Sequence, residues 1–362
     1  MATAGALSVP CLAETPIIAD TSLRAAAHAG GRIFGAAVQF EQLDNDPAFR
    51  KLVLAECDSL TPELVLKWAA IHLAPGRFDL GPMDRLAGFA RTHGKRIHGH
   101  TLLWHRSIPA WAGPEMAAPG GWNVLQSFFT AVMQRYGDVV RYWDVVNEPV
   151  EPMDDADGLR RSPFLSAFGP DYVRRALETA RACAPAAQLM INEYGLEYPD
   201  AEDEARRARL LRLLDDLRRR DVPLDGVGIQ AHLRLDRGAI DQAALAQFFQ
   251  ELADRGLFLL ITELDVREVD TSRDFGRRDQ RVAAATRAFL DVALDQPAVR
   301  GISTWGLSDR YSWLNEDGES GTRQPGGNRG LPYDSALRPK PLCRAMASSL
   351  RTKREFKLPY SL

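Results

Sequence analysis

The sequence predicts an α/β fold, a single-domain (β/α)8 TIM barrel, and three observations carry that prediction. Short runs rich in Val, Ile and Leu alternate with longer amphipathic, charged segments along most of the 362 residues. Eight such runs are present, and their ends lie about 38 residues apart, which suits one strand, one helix and a working loop. The runs also finish in polar and aromatic residues, as expected where strand ends line one functional mouth. The alternative is an open doubly wound sheet. That fold usually shows a Gly-rich phosphate turn after an early strand, whereas Gly30-Gly31-Arg32 precedes a strand here.

In chain order the strand-like runs are Ile33–Val38, Ser59–Pro62, Arg96–Thr101, Val139–Val146, Gln188–Asn192, Gly226–Gln230, Leu257–Thr262 and Gly301–Thr304. The second is the weakest, being short and closed by a proline that cannot donate to a ladder. Helices fill the gaps. Ala201–Arg220 places Leu210, Leu211, Leu213, Leu214 and Leu217 on one side, with Arg and Asp opposite. Gln242–Arg255 and Gln280–Leu294 follow the same pattern, and Pro341–Lys353 forms the last helix. The Gly-rich stretch Asp317–Gly330 reads as a long loop at the C-terminal face of the barrel. No repeat or low-complexity linker divides the chain, so residues 21–362 read as one barrel domain.

Composition narrows the partners. There are 45 Lys and Arg against 48 Asp and Glu, a formal net charge of −3. That leaves no general basic field for nucleic acid or an anionic membrane surface. No stretch approaches the roughly 20 apolar residues of a membrane span. The four cysteines, Cys11, Cys57, Cys183 and Cys343, lack C-x-x-C spacing, which argues against a zinc ribbon or dithiol site. Residues 1–20 form a flexible lead or a signal-peptide remnant. Ala2 to Ala13 carry no charge and end in Leu12-Ala13-Glu14, but the first basic residue is Arg24. The remnant reading implies a secreted or periplasmic protein, and a monomer is expected.

The strand ends carry the chemistry. Strand three gives His98-Gly99-His100-Thr101 and then Trp104-His105; strand four gives Asn147-Glu148-Pro149; strand five gives Asn192-Glu193-Tyr194. Strand six gives Gln230-Ala231-His232, strand seven Thr262-Glu263-Leu264-Asp265, and strand eight Thr304-Trp305-Gly306 followed by Trp313. Strands four and seven face each other in an eight-strand barrel, so Glu148 and Glu263 point at a common space. Two such carboxyls suit glycoside hydrolysis, where one protonates the leaving oxygen and the other attacks the sugar. The bland alternative is a pair of surface loop ion pairs. Asn147 before Glu148, and the His and Asp near Glu263, weigh against it.

His98 and His100 alternate along a strand and could chelate zinc, but no third ligand is evident at matching spacing, so no metal is expected. His105 and His98 read as satisfied structural histidines; His28, His72 and His93 read as solvated or core positions. Of the seven tryptophans, Trp111, Trp122 and Trp143 read as core, while Trp104, Trp305 and Trp313 follow strand ends. Indole faces there suit stacking on the C–H faces of sugars.

These motifs together resemble glycoside hydrolase family 10, the endo-β-1,4-xylanases, from about Phe34 to Pro341. The matching segments are Thr61-Pro-Glu-Leu-Val-Leu-Lys-Trp68, Gly99-His-Thr-Leu-Leu-Trp-His105, Trp143-Asp-Val-Val-Asn-Glu-Pro149, Val227-Gly-Ile-Gln-Ala-His-Leu233, Ile261-Thr-Glu-Leu-Asp265 and Thr304-Trp-Gly-Leu-Ser-Asp-Arg-Tyr-Ser-Trp313. The resemblance implies retaining hydrolysis of internal xylan bonds without a cofactor, with Glu148 as general acid/base and Glu263 as nucleophile. It implies that His232 hydrogen-bonds Glu263 and is held by Asp265, and that Asn147 binds the 2-hydroxyl of the sugar at the cut. Lys67, His100, Trp104 and Gln230 would line that ring's site, Trp305 would be its floor, Trp313 a wall that disfavours a hydroxymethyl group, and Glu63 would reach the next sugar upstream. The implied partners are xylan and xylo-oligosaccharides. Three features depart from the family: Leu64 stands where it has Asn, Ser107 where it often has Gln, and Cys183 and Cys343 are not at its usual disulfide places. The rival readings are a β-1,4-glucan or xylo-oligosaccharide hydrolase, and a non-catalytic carbohydrate-binding barrel.

Overall fold

The structure is a computed structural model that describes residues 22–154, 158–270, 272–315 and 327–352. The predicted lead at 1–20 lies outside the described residues, as does most of the predicted Gly-rich loop. Eight parallel strands form the barrel: β1 Ile33–Val38, β2 Ser59–Pro62, β3 Arg96–Gly99, β4 Val140–Asn147, β5 Gln188–Glu193, β6 Gly226–Ile229, β7 Phe258–Arg267 and β8 Val299–Thr304. Each pairs in parallel with the next, and β8 pairs with β1 to close the ring. All eight predicted strands are therefore present, including the proline-closed β2. Its four residues are buried and Pro62 sits opposite Val38.

The largest difference from the sequence reading is β7, which runs on to Arg267 rather than stopping at Thr262. A short segment after β6, His232–Arg234, pairs in parallel with Asp265–Arg267 and extends the ladder. Glu263 and Asp265 thus lie inside a buried strand. In that register His232 sits opposite Asp265. A second unpredicted segment, Leu103–Trp104, pairs with Val146–Asn147 at the end of β4. It carries Trp104 to the neighbourhood of Glu148.

The helices form the outer layer. Ala201–Arg219 begins at Asp200, whose side chain accepts the Asp203 N–H, and it buries Leu210, Leu214 and Leu217. Each such leucine contributes about 1.5–3 kcal/mol when fully buried. Arg206 on the same helix is also fully buried, against the expectation that its charges face solvent. It donates to the Val150 carbonyl (2.7 Å) and pairs with Glu151, so it ties the helix to the loop after β4. Gln242–Asp254 and Pro341–Leu350 fall close to prediction. Phe275–Ala293 starts earlier than predicted, because Asp274 caps it by accepting the Arg277 N–H and Arg278 is buried against Glu268.

Candidate active site

The C-terminal ends of the strands surround an open cleft of about 570 Å³. Glu63, Lys67, His100, Trp104, Asn147, Glu148, Gln230, His232, Glu263, Trp305 and Trp313 all line it. Asp265 stands directly behind His232. The fold thus brings together residues spread over 250 positions, from six of the eight strand ends.

Glu263 is nearly fully buried, with 5% of its surface exposed. Its Oε2 lies 3.2 Å from His232 Nε2, and its Oε1 accepts from Asn192 Nδ2 at 2.7 Å. His232 Nδ1 lies 2.8 Å from Asp265 Oδ1, and Trp313 Nε1 donates to Asp265 Oδ2 at 2.6 Å. Burial disfavours a cation at His232, but Asp265 and then Glu263 outweigh it and hold the imidazolium form well above its ordinary value. Burial likewise pushes the Glu263 carboxyl up. The His232 hydrogen bond and the charges of His100 and His232 overcome that and leave it below its ordinary 4.5. Glu263 is therefore an ionised carboxylate in a dry wall.

Behind it lies a second buried cluster of charge. His98 Nε2 and His100 Nδ1 each come within 2.9 Å of Asp144 Oδ2. Asp144 is fully buried, yet His98 and His100 hold its carboxyl down to about 2. The pair that could have chelated zinc is instead committed to one aspartate. Among the described residues no group of His, Cys, Asp and Glu is arranged to hold a metal ion.

Glu148 is held differently. Trp104 Nε1 donates to its Oε2 at 2.9 Å, while Asn147 Nδ2 and Gln230 Nε2 donate to its Oε1 at 3.1 Å each. Its backbone has φ 56°, in the left-handed region where a non-glycine residue is strained. Three contacts hold the strained turn. The Glu148 N–H donates to the Asn192 carbonyl (2.8 Å), Arg160 Nε donates to the Glu148 carbonyl (2.9 Å), and the Val150 N–H donates to Glu193 Oε2 (3.0 Å). Ala231, between Gln230 and His232, is strained in the same way at φ 60°. Its N–H donates to buried Glu197 Oε1 at 3.1 Å. One buried carboxyl thus braces each strained turn. Burial pushes Glu193 up to about 8 against the opposing charge of Arg206, and burial with Asp203 pushes Glu197 up to about 7.

Asn192 joins the two acids. Thr262 Oγ1 donates to its Oδ1 at 2.7 Å, which fixes the amide orientation. Its Nδ2 is then left to donate to both Glu263 Oε1 and Asn147 Oδ1 (2.8 Å). A Cβ at Gly228 would lie 2.2 Å from Asn192 Oδ1, so only glycine leaves room for this side chain.

One sequence reading is corrected. His105 is not a satisfied structural residue: it faces the cleft, with Nδ1 3.8 Å from Glu148 Oε2 and no hydrogen-bond partner among the described residues. Leu64, the departure from the family pattern, is half exposed and lines the cleft. Asn192 and Glu193 were visible as polar residues at the end of strand five, Glu197 was not singled out, and nothing in the sequence marked the roles of the three. Trp143 and Trp122 are core as expected, and Trp305 is buried with His100 and His232 set edge-on against it.

The comparison with known proteins agrees with this geometry. Residues 22–349 match the family model of glycosyl hydrolase family 10. The chain belongs to that family. Endo-1,4-beta-xylanase B of Thermotoga neapolitana is 31% identical over 325 residues, covering 88% of this chain and 88% of that protein. Endo-1,4-beta-xylanase A of Fusarium oxysporum f. sp. lycopersici is 35% identical over 312 residues, covering 82% of this chain and 90% of that protein. Among solved structures, xylanase 10B from Thermotoga petrophila in complex with xylobiose is similar, with a TM-score of 0.81 and 29% identity. That match covers 91% of this chain and 97% of the other. As a family 10 member the chain is a glycoside hydrolase, and the family's double displacement with retention fits two carboxyls from facing strands.

Proposed function

We propose that this barrel hydrolyses internal β-1,4 bonds of xylan, with Glu263 as nucleophile and Glu148 as acid and base. The observation that carries the assignment is the asymmetry of the two carboxyls. Glu263 is kept ionised by a charged donor, while Glu148 sits nearer the solvent among neutral donors. In the first step a Glu263 oxygen bonds to the anomeric carbon as the leaving oxygen departs with the Glu148 proton. In the second, Glu148 takes a proton from water, whose oxygen displaces Glu263 and restores the β configuration. Lys67, His100, Asn147 and Gln230 surround the ring at the cut, Trp104 and Trp305 supply its apolar faces, and Glu63 reaches upstream. Burial pushes the Lys67 ammonium down, against the charges of Glu263, Glu63 and Glu148, so it serves as a close donor inside an acidic cleft.

Xylan is preferred over β-glucan because Trp313 is pinned by its bond to Asp265 and cannot readily swing away from a hydroxymethyl group. The second reading, a non-catalytic sugar-binding barrel, gains no support from an intact, hydrogen-bonded pair of acids. Digestion of birchwood xylan and carboxymethyl cellulose, followed by NMR of the first products, tests the proposal. Internal cleavage of xylan with a β-configured product is expected. An α-configured product, or faster cleavage of the cellulose, would overturn it.

A further inference from the structure

Two arginines line the cleft, and their surroundings differ. Arg160 is satisfied: it donates to the Glu148 and Val150 carbonyls and to the Tyr194 hydroxyl, and it pairs with Glu151 at 3.2 Å. Arg106 stands exposed at the rim, in the turn after Trp104, and among the described residues no carboxylate is at ion-pair distance from it. Some exposed arginines elsewhere pair with a carboxylate, as Arg91 does with Asp138 and Arg135 with Asp84, and others such as Arg77 and Arg218 do not among the described residues; Arg106 is set apart by its place on the cleft. The turn that carries Arg106 is fixed. The Ser107 N–H donates to the Trp104 carbonyl (3.0 Å), and the Ala69 N–H donates to the Ser107 carbonyl (3.3 Å).

The Arg106 guanidinium carbon lies 5.9 Å from the centre of the Trp104 ring, and Lys67 Nζ lies 4.3 Å from the same ring. Two cations therefore share one indole. Lys67 is compensated by Glu263, Glu63 and Glu148, whereas Arg106 acts against both Lys67 and His105 as a like charge. A cation placed beside another without a counter-charge is relieved by an arriving anion. The planar guanidinium fork matches a carboxylate, which it can bind through two parallel hydrogen bonds. Leu64, on the same cleft, offers apolar surface and no polar competitor.

We propose that Arg106 is the receptor for a carboxylate carried on the polysaccharide, so that the cleft selects chains bearing uronic acid branches over undecorated ones. This rests on the xylan-hydrolase reading, which the test separates from it. kcat/KM is measured on two oligosaccharides of equal backbone length, one neutral and one with a single uronic acid branch. Arg106→Gln lowers the acidic-to-neutral ratio about 5-fold, the upper end for an exposed ion pair. Arg106→Lys, which keeps the charge but loses the fork, falls between wild type and Arg106→Gln, and Arg106→Glu lowers the ratio further. Added salt narrows the wild-type ratio. A ratio equal in wild type and Arg106→Gln would overturn the proposal and leave Arg106 a ligand of the neutral backbone or of nothing. Absence of turnover by wild type on both substrates would sink the hydrolase reading instead. Calorimetric titration of the acidic oligosaccharide into wild type and Arg106→Gln would then still decide the carboxylate site by the same difference in affinity.

Discussion

The two walls of the cleft hold chemically identical side chains in opposite ways. On the β7 wall, Glu263 is buried and faces an imidazolium that is itself clamped by Asp265 and Trp313. On the β4 wall, Glu148 faces an indole and two amides, and its position is set by a strained backbone turn. A charged donor fixes one protonation state. Neutral donors orient the carboxyl without placing a charge beside it. The difference teaches that the acid and the nucleophile are distinguished by their surroundings rather than by their own chemistry.

Removing the charged wall should have the largest effect. Glu263→Ala is expected to lower kcat on the order of 10⁴-fold or more with every leaving group, since the groups of a covalent mechanism act as a unit. Substantial turnover of an aryl xylobioside by this variant would show that the attacking group lies elsewhere.

His232→Gln sharpens the comparison by keeping a hydrogen bond while deleting the charge. A loss of about 100-fold in kcat/KM is expected, the low end for a group acting at the reacting centre. The sign of the pH effect follows from the shifts. Glu263 must be ionised to attack, and its carboxyl lies below 4.5, so wild-type activity falls only as pH drops through that depressed value. Without the imidazolium, burial dominates and the acid limb of the kcat/KM profile moves to higher pH. A limb that stays in place would mean His232 does not set the charge of Glu263.

Glu197→Gln probes what both walls share. The Ala231 turn places Gln230 against Glu148 and His232 against Glu263, and Glu197 accepts the Ala231 and Leu196 N–H groups. An amide can accept only one of them, at a cost of about 1–3 kcal/mol for the group left unpaired. A roughly 10-fold fall in kcat/KM is expected, equal for good and poor leaving groups because both acids shift together. A loss confined to one class of leaving group would assign the turn to one wall only.

Leu64→Asn should have the smallest effect. Leu64 is half exposed, so the substitution should move stability by no more than about 0.5 kcal/mol. A restored sugar contact of about 0.5–1.5 kcal/mol corresponds to a gain of roughly 2- to 12-fold in kcat/KM on xylotriose. No gain, with melting unchanged, would place the upstream ring away from this side chain.

Much of this was legible before the structure. A closed eight-strand barrel forces even spacing, so apolar runs located the strand ends, and facing strands picked out Glu148 and Glu263. The end of β7 was not legible, because Glu263 and Asp265 broke the apolar run. They are buried through partners from elsewhere in the chain: His232 on the segment after β6, Asn192 on β5 and Trp313 after β8. Arg206 was read as solvent-facing for the same reason: its compensating carboxylate, Glu151, comes from a separate loop. Asn192, Glu193 and Glu197 were hidden because they act on backbone N–H groups or on amides from other strands. A sequence does not show which backbone groups a fold leaves in need of an acceptor.

The central claim, that Glu148 supplies the proton and Glu263 the bond, is tested most directly by the leaving-group dependence of Glu148→Ala. With a nitrophenyl leaving group, which departs without protonation, glycosylation of Glu263 should proceed near the wild-type rate in a pre-steady-state burst. With an alkyl xyloside of poor leaving ability, the same step should slow by about 10²- to 10⁴-fold, the usual contribution of general acid catalysis. Equal losses with both leaving groups would contradict the assignment and remove the distinction between the two walls.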